Sequence, residues 1–251
     1  MIDYTESDGY KNKELTDFVN GDSEFILEVN AEPGTKGSMK TATSISDALV
    51  LQYYEEADET KAAFGKTLSF DDWKTISGIK DAYGDVLFTA PLISANVAHP
   101  LLQEIDKELE RDDRKFTFLC GHDSNLASVL AALDVKDYEC PEAIESKTPI
   151  GSKLVFEKYE GSDGKEYARV RLVYQSAEQL RSMPILTLDN PPVSYVLEFN
   201  GLKTNKDGMI LMEDLDGRLD SAIARYDEIR AEYGITETSA PNTSVPNTGV
   251  Q

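Results

Sequence analysis

The chain has 251 residues, of which 46 are acidic and 25 are basic, so its formal net charge is −21. Hydrophobic residues make up 40% of the sequence, which suffices for a buried core and argues against general disorder. The acidic charge argues against binding to nucleic acid or to anionic membranes, since both need basic residues. It leaves open an anionic small molecule as a ligand, because a few local hydrogen-bond donors outweigh distant, screened charges.

Residues 1–111 are predicted to be mainly helical. A first helix is expected to begin with Ser44 as its N-cap and to bury one face, which carries Ile45, Ala48, Leu49 and Tyr53. A second helix is expected after Ser69, because a capping serine followed by acidic residues is typical of a helix start. Trp73 is predicted to anchor the core of this helical part, and stacking on a ligand is the alternative role.

A third helix is expected over residues 94–111, with a buried face formed by Leu101, Leu102, Ile105 and Leu109. Pro100 is expected either to kink this helix or to mark its true first turn. His99 stands just before that proline, and we predict a structural role for it rather than a role as a nucleophile.

A strand followed at once by a helix is predicted next. Residues 116–120 form a short apolar run, which predicts a buried strand containing Cys120 as a buried free thiol. Apolar residues then recur at helical spacing, at Leu126, Val129, Leu130 and Leu133. Asp123 or Ser124 is the expected N-cap of this helix.

This arrangement places His122 and Asp123 where the strand ends and the helix begins. Free backbone N–H groups and the positive end of the helix dipole favour an anion at such a corner. A histidine and an aspartate there can bind a phosphate and supply a proton. The alternative is that the two residues only cap the helix.

The rest of the chain adds strands, a last helix and a polar tail. A β-hairpin is predicted from residues 154–159 and 168–174, a third strand at 195–199 and a long helix at 212–233. The mixture of strands and helices predicts an α/β protein. Residues 236–251 are rich in Thr, Ser, Pro and Asn and are expected to be disordered.

No cofactor is predicted from the sequence. Its two cysteines, Cys120 and Cys140, are too few for a disulfide scaffold or a metal site. The sequence contains no Gly-rich nucleotide-binding loop. We therefore expect neither a metal ion nor an organic cofactor.

The sequence Gly-His-Asp-Ser-Asn-Leu at residues 121–126 resembles the second signature of the histidine acid phosphatases, the family of bacterial phytases and glucose-1-phosphatases. The similarity continues through residues 149–157, 172–176 and 186–192. The short motif alone is weakly specific, whereas the ordered series of motifs is strongly specific.

The resemblance implies a fold. It is the α/β fold of the phosphoglycerate-mutase-like histidine phosphatases, a sheet flanked by helices with a helical subdomain. Residues 1–111 are expected to form that mainly helical subdomain as an insertion. Residues 112–235 are expected to form the α/β core portion with the His-Asp motif, and 236–251 the disordered tail.

The resemblance also implies a reaction, the hydrolysis of phosphate monoesters through a phosphohistidine intermediate. His122 is expected to bind the phosphoryl group, Asp123 to protonate the leaving alcohol, and Ser124 to contribute to substrate binding. The substrate class is a small phosphorylated compound, a sugar phosphate or a phytate-like molecule. Some phytase-type relatives carry an arginine in the segment that matches residues 94–102; none is present here, which favours a sugar phosphate or a simple monoester.

The first signature of the family, an Arg-His-Gly loop that supplies the nucleophilic histidine, is absent from this sequence. The chain has two histidines, His99 and His122, and neither follows an arginine. We therefore expect it to correspond to the carboxyl-terminal part of such an enzyme, without the first strand, and to be inactive alone. A non-catalytic truncated remnant or anion-binding module is the alternative. A structural domain that binds protein partners through its acidic face is a third hypothesis.

The resemblance implies a periplasmic or secreted location. The sequence itself shows no signal peptide, since its first residues are acidic and lack an apolar segment. It also has no apolar run near the roughly 20 residues that span a bilayer.

Overall fold

The structure is a computed structural model that describes residues 39–234. The tail predicted at 236–251 lies outside the described residues.

The helices are α1 (Met39–Glu55), α2 (Glu59–Ala62), α3 (Phe70–Gly84), a π-helical turn (Asp85–Thr89), α4 (Pro91–Leu109), α5 (Asp123–Ala132), α6 (Ala177–Ser182) and α7 (Met212–Glu232). The strands are β1 (Lys153–Glu160), β2 (Glu166–Tyr174), β3 (Val193–Val196) and β4 (Ile210–Leu211). The predicted α/β class is confirmed. None of the helices described is both long and apolar enough to cross a bilayer.

The strands form one antiparallel sheet around β2. β1 pairs with β2 as the predicted hairpin, with Glu160 opposite Glu166 at its closed end. β3 pairs with the second half of β2 and β4 with its first half. Alternate residues of β2 are buried on one face, and these are Ala168, Val170, Leu172 and Tyr174. This period of two is the pattern of a strand with one face against a core.

The third strand lies slightly earlier than the predicted 195–199. It covers Val193–Val196, and Phe199 instead makes an isolated bridge with Val135, just after α5. Leu197 and Phe199 are both buried. The apolar run therefore packs inside the protein, although its residues after Val196 lie outside the strand.

The main core lies between the sheet and helices α4, α5 and α7. Its fully buried side chains include Leu102, Leu133, Leu172, Leu215 and Leu219. The last helix buries Leu215 and Leu219 against this core. Because α4 contributes to this core, residues on both sides of position 111 pack together; the division of the chain at 111 stays a prediction.

A second, smaller core joins the first helices to the loop after α5. Trp73 is buried within it, with its ring 4.6 Å from the ring of Tyr53. This confirms the predicted structural role of Trp73.

The helix start predicted at Ser69 is also present, because Ser69 and Asp72 exchange side-chain and backbone hydrogen bonds in a capping box. Arg181 of α6 donates to the carbonyl oxygens of Tyr53 and Glu56 and so holds the end of α1.

Helix α1 differs from the prediction in its start and its buried face. It begins at Met39, so Ser44 lies inside it rather than capping it. Ile45 and Ala48 are exposed, and the buried residues are Thr43, Ser46, Val50 and Tyr53. The Ser46 hydroxyl donates to the carbonyl oxygen of Ile76 in α3 at 2.5 Å. This bond lets a polar residue occupy the interface, which an apolar pattern cannot reveal.

Helix α4 begins at Pro91, earlier than predicted, with the proline at its first position. It continues through Pro100, so this residue neither starts nor ends the helix.

The predicted buried strand at 116–120 is wrong. Residues 116–122 adopt neither helix nor strand, and the side chains of Phe116 and Phe118 are 81% and 65% exposed. Cys120 is exposed as well, not buried. No strand among residues 39–234 pairs with this segment, so its apolar side chains have nothing to be buried against. The Thr117 hydroxyl binds Glu108, which ties the segment to the end of α4.

Glu145 is a buried carboxyl group beside the smaller core. Its Oε2 accepts a hydrogen bond from the Tyr54 hydroxyl at 2.7 Å, whereas Oε1 is buried with no hydrogen-bond partner among residues 39–234. Burial raises the pKa of Glu145, and the Tyr54 hydrogen bond and the charge of Lys80 only partly oppose this effect.

Glu145→Gln is expected to remove one component of the pH dependence of stability. A raised pKa means that folded Glu145 holds its proton more tightly than the unfolded chain does. Its contribution is therefore fully present below the ordinary pKa of 4.5 and is lost as pH rises through the folded pKa. Urea unfolding between pH 4 and 8 should show a smaller fall in unfolding free energy for Glu145→Gln than for the wild type. Glu55→Gln, the same change at an exposed carboxyl group, is the control, and equal slopes in all three proteins would contradict the account.

Candidate functional site

The His-Asp motif forms the amino-terminal corner of α5. His122 is the N-cap residue in extended conformation, and Asp123 is the first residue of the helix. The expectation that Asp123 or Ser124 caps the helix is therefore wrong. Asn125 explains the difference, because its Oδ1 accepts the backbone N–H of His122 at 2.8 Å. This bond fixes the entry of the chain into the helix from the N3 position, as the second residue of a capping box does.

Three helices meet at the Asp123 carboxylate. Its Oδ1 accepts the backbone N–H of Ser124 at 2.8 Å, and its Oδ2 lies 2.9 Å from Nζ of Lys80 in α3. The same ammonium lies 3.2 Å from Oδ1 of Asp47 in α1. Lys80 is the residue of this site that sequence reasoning missed.

The Asp123–Lys80 pair is ionised. Burial alone would raise the pKa of Asp123, but the hydrogen bond and charge of Lys80, with the Ser124 N–H, bring it below its ordinary value. Burial alone would lower the pKa of Lys80, and the two aspartates raise it instead. This arrangement therefore favours the carboxylate form of Asp123 over the carboxylic acid that a proton donor needs.

The corner is open to solvent, since His122 and Asp123 are both exposed. The helix behind the corner, α5, is fixed by a buried hydrogen bond. Ser128, one turn and a half further along α5, is fully buried and donates from its hydroxyl to the carbonyl oxygen of Phe88 at 3.0 Å. A firmly held helix therefore presents an imidazole, a carboxylate and the positive end of its dipole to the solvent, an arrangement that can bind an oxyanion.

His99 occupies a different environment. Its ring stacks on Tyr226 of α7, with the ring centres 4.2 Å apart. Its Nδ1 is buried and has no hydrogen-bond partner in the part of the chain that the structure describes. This packing between α4 and α7 supports the predicted structural role.

The described residues form no metal-ligand group, and a cavity among the first helices does not reach the corner. Within residues 39–234, no group of three or more His, Cys, Asp or Glu side chains is arranged to hold a metal ion. A cavity of about 320 Å³ lies elsewhere, among the first helices, and is lined by Leu49, Ala63, Phe64, Lys66, Leu68, Trp73 and Ile76. Its lining does not include the His-Asp motif.

Curated proteins with similar sequences are phosphatases by name. The chain is 38% identical over 219 residues to a Glucose-1-phosphatase of Providencia rettgeri, covering 85% of this chain and 52% of that protein. It is 37% identical over 223 residues to a Glucose-1-phosphatase of Salmonella typhimurium, covering 87% and 54%. Phytase AppA of Escherichia coli is 27% identical over 197 residues, covering 73% and 45%. The chain spans about half the length of these relatives.

Solved structures of phytases have the same fold. The phytase from Citrobacter braakii superposes with a TM-score of 0.66 at 24% identity, covering 74% of this chain and 50% of that one. The Hafnia alvei phytase in complex with myo-inositol hexakis sulphate superposes with a TM-score of 0.63 at 22% identity, covering 75% and 49%. At these identities the likeness concerns the fold.

Family membership follows from a match to a family model. The model described as Histidine phosphatase superfamily (branch 2) matches residues 7–175, well over half of the chain and including Lys80, His122 and Asp123. The resemblance seen in the sequence motifs is thereby confirmed, and this chain belongs to branch 2 of the histidine phosphatase superfamily.

Proposed function

We propose that this chain supplies the proton-donor half of an acid phosphatase that hydrolyses phosphate monoesters through a phosphohistidine intermediate. The observation that carries the proposal is the His122–Asp123 corner, exposed at the amino end of a firmly held helix in a chain of this family. A donor imidazole and a carboxyl group side by side are what phosphoryl binding and leaving-group protonation need.

His122 binds the phosphoryl group. Its imidazole donates a hydrogen bond to a non-bridging oxygen, and the positive end of the α5 dipole adds a favourable field for the anion. Ser124 lies in this first turn, and its hydroxyl is a further donor for the same group.

Asp123 protonates the leaving group. As the ester bond to phosphorus breaks, the departing oxygen takes the proton of the Asp123 carboxyl group and leaves as a neutral alcohol. The resulting carboxylate then accepts a proton from the water that attacks the phosphohistidine. Because the surroundings of Asp123 lower its pKa in the empty site, the carboxyl group has to take up a proton when the ester binds, and it gives up the proton regained from water when phosphate leaves.

The nucleophilic imidazole comes from polypeptide outside these 251 residues. The sequence has only two histidines and no Arg-His-Gly loop. His122 is assigned to phosphate binding, and His99 packs against Tyr226. The isolated chain is therefore expected to bind phosphate weakly and not to turn over esters.

A sugar phosphate or another simple monoester is the proposed substrate class. The two relatives at 37–38% identity are named Glucose-1-phosphatase, whereas the one named phytase is 27% identical. No arginine occurs in residues 94–102, which weakens the case for a heavily phosphorylated substrate. The proposed location is periplasmic or secreted.

Inorganic phosphate binding by the 251-residue chain tests the proposal. With two histidines in the sequence, imidazole NMR signals at pH 5 report on each separately. Phosphate is expected to shift the His122 signals and leave those of His99 in place. His122→Ala is expected to weaken binding about 10- to 100-fold, the range for a lost hydrogen bond to a charged group.

His99→Ala is the matched control. It removes the other imidazole and is expected to lower stability but to keep phosphate affinity within about threefold, because the ring packs on Tyr226 away from the corner. Equal losses of affinity in the two variants would contradict the proposed site.

A further inference from the structure

Lys80 joins the proposed proton donor to a second carboxylate. Its Nζ lies 2.9 Å from Oδ2 of Asp123 and 3.2 Å from Oδ1 of Asp47, and its side chain is 38% exposed. The three residues come from three helices, so the ammonium is positioned by the packing of α1, α3 and α5.

Negative charges outnumber positive charges around Lys80. One ammonium faces the two carboxylates of Asp47 and Asp123, and the buried Glu145 also interacts with it. His122 is the other titratable group that acts on Asp123. A phosphate that arrives adds more negative charge, so binding favours redistribution of the Lys80 hydrogen bonds and uptake of a proton.

We propose that Lys80 is a positioning residue that transfers its hydrogen bond from Asp123 to the phosphoryl group of an incoming monoester. The transfer releases Asp123 to take up the proton that it later gives to the leaving alkoxide. This inference rests on the proposed function of the His122–Asp123 corner and adds the step that loads its acid.

The step is balanced. Lys80 remains an ammonium throughout and only changes acceptor. The Asp123 carboxylate takes one proton from the acidic solvent and becomes a carboxylic acid. When the ester bond breaks and the phosphorus–nitrogen bond to the nucleophilic imidazole forms, the departing oxygen takes that proton. The Asp123 carboxylate then accepts a proton from the water that breaks the phosphorus–nitrogen bond, loses that proton to solvent as phosphate leaves, and pairs with Lys80 again.

A lysine suits this role better than an arginine does. Its ammonium is a compact charge on a flexible stem with three donors, which can serve Asp47 and exchange a second acceptor at the same time. An arginine would hold the carboxylate with two parallel hydrogen bonds and release it less readily.

Carboxyl and imidazole NMR of the full chain with inorganic phosphate tests the inference. Saturating phosphate is expected to raise the pKa of the Asp123 carboxyl group more in the wild type than in Lys80→Met, because repulsion by the phosphate acts in both proteins and loss of the Lys80 hydrogen bond acts only in the wild type. Lys80→Met is expected to weaken phosphate binding about tenfold or more and to raise the Asp123 pKa before phosphate is added. Lys80→Arg keeps the charge but releases the carboxylate less readily, so it should bind phosphate more tightly than Lys80→Met and less tightly than the wild type.

Lys136→Met is the matched control. Lys136 forms an exposed ion pair with Glu198 at 2.7 Å, just beyond the opposite end of α5, and its replacement should leave phosphate binding unchanged. Thermal unfolding of each variant shows that it is folded at the temperature of the measurement.

The outcomes separate this inference from the proposed function. If Lys80→Met binds phosphate as the wild type does while His122→Ala does not, the role of Lys80 is refuted and the proposed phosphate site at His122 and Asp123 is retained. An Asp123 pKa that phosphate leaves unchanged in the wild type also refutes it, without any variant. If the wild type binds no phosphate at 50 mM, or His122→Ala binds it equally well, both proposals fail.

Discussion

A chimaera that joins this chain to the proposed nucleophile-bearing half is expected to hydrolyse p-nitrophenyl phosphate at acidic pH, whereas the 251-residue chain alone is expected to give no turnover above buffer. The donor is the part of Providencia rettgeri Glucose-1-phosphatase that lies outside its match to this chain, and that match covers 52% of the donor. Nucleophile and acid act as a unit, so adding the absent imidazole should raise the rate by at least on the order of 10⁴-fold. Phosphate release, measured for both proteins at equal concentration, gives the comparison.

The control chimaera carries alanine in place of the histidine of the donor's Arg-His-Gly loop. It is expected to be as inactive as the isolated chain while keeping the same unfolding temperature. Asp123-dependent turnover by the isolated chain would contradict the proposed division of roles. A well-folded chimaera that binds phosphate but does not hydrolyse esters would favour the anion-binding module.

Asp123→Asn in the same chimaera is expected to slow the cleavage of an alkyl phosphate about 10²- to 10⁴-fold, the usual contribution of a positioned general acid. The amide fits the same space and still accepts the Ser124 N–H, but it has no proton to give. The loss should be much smaller for p-nitrophenyl phosphate, because nitrophenolate leaves without protonation. Turnover numbers for a series of leaving groups of increasing pKa measure this difference.

Asp227→Asn makes the same change at an exposed aspartate of α7 that pairs with Arg230. It should leave turnover within about twofold of the parent chimaera for every leaving group. If Asp123→Asn lowers the rate equally across the series, Asp123 is not the proton donor.

Several elements could be predicted because their signals are local. The Ser69–Asp72 capping box, the β1–β2 hairpin and the buried leucines of α7 each depend on residues close together in the sequence. The helix after the His-Asp motif could be predicted for the same reason, although its cap is His122, with Asn125 closing it.

The segment at 116–120 could not be predicted from its composition, because burial depends on a neighbour. Phe116, Phe118 and Leu119 are apolar, yet all are exposed where no strand lies beside them. The buried face of α1 also depends on a distant neighbour, since Ser46 is buried through a hydrogen bond to Ile76, 30 positions away in the sequence.

Lys80 could not be found from the sequence at all. It is one of 25 basic residues, and nothing within its own helix distinguishes it. Its importance comes from the packing of α3 against α1 and of the π-helical turn after α3 against α5, which brings it to Asp123 from 43 positions away in the sequence. The motif identified the carboxyl group, but only the structure identified the ammonium that controls its charge.

The central claim is that the corner of α5 presents His122 and Asp123 to a phosphoryl group. A crystal structure of the active chimaera with tungstate bound tests it most directly. We predict the oxyanion within about 2.6–3.2 Å of a ring nitrogen of His122, with a carboxyl oxygen of Asp123 at hydrogen-bond distance from the tungstate oxygen that stands for the leaving group. Tungstate bound in the active site with both side chains turned away from it would contradict the account.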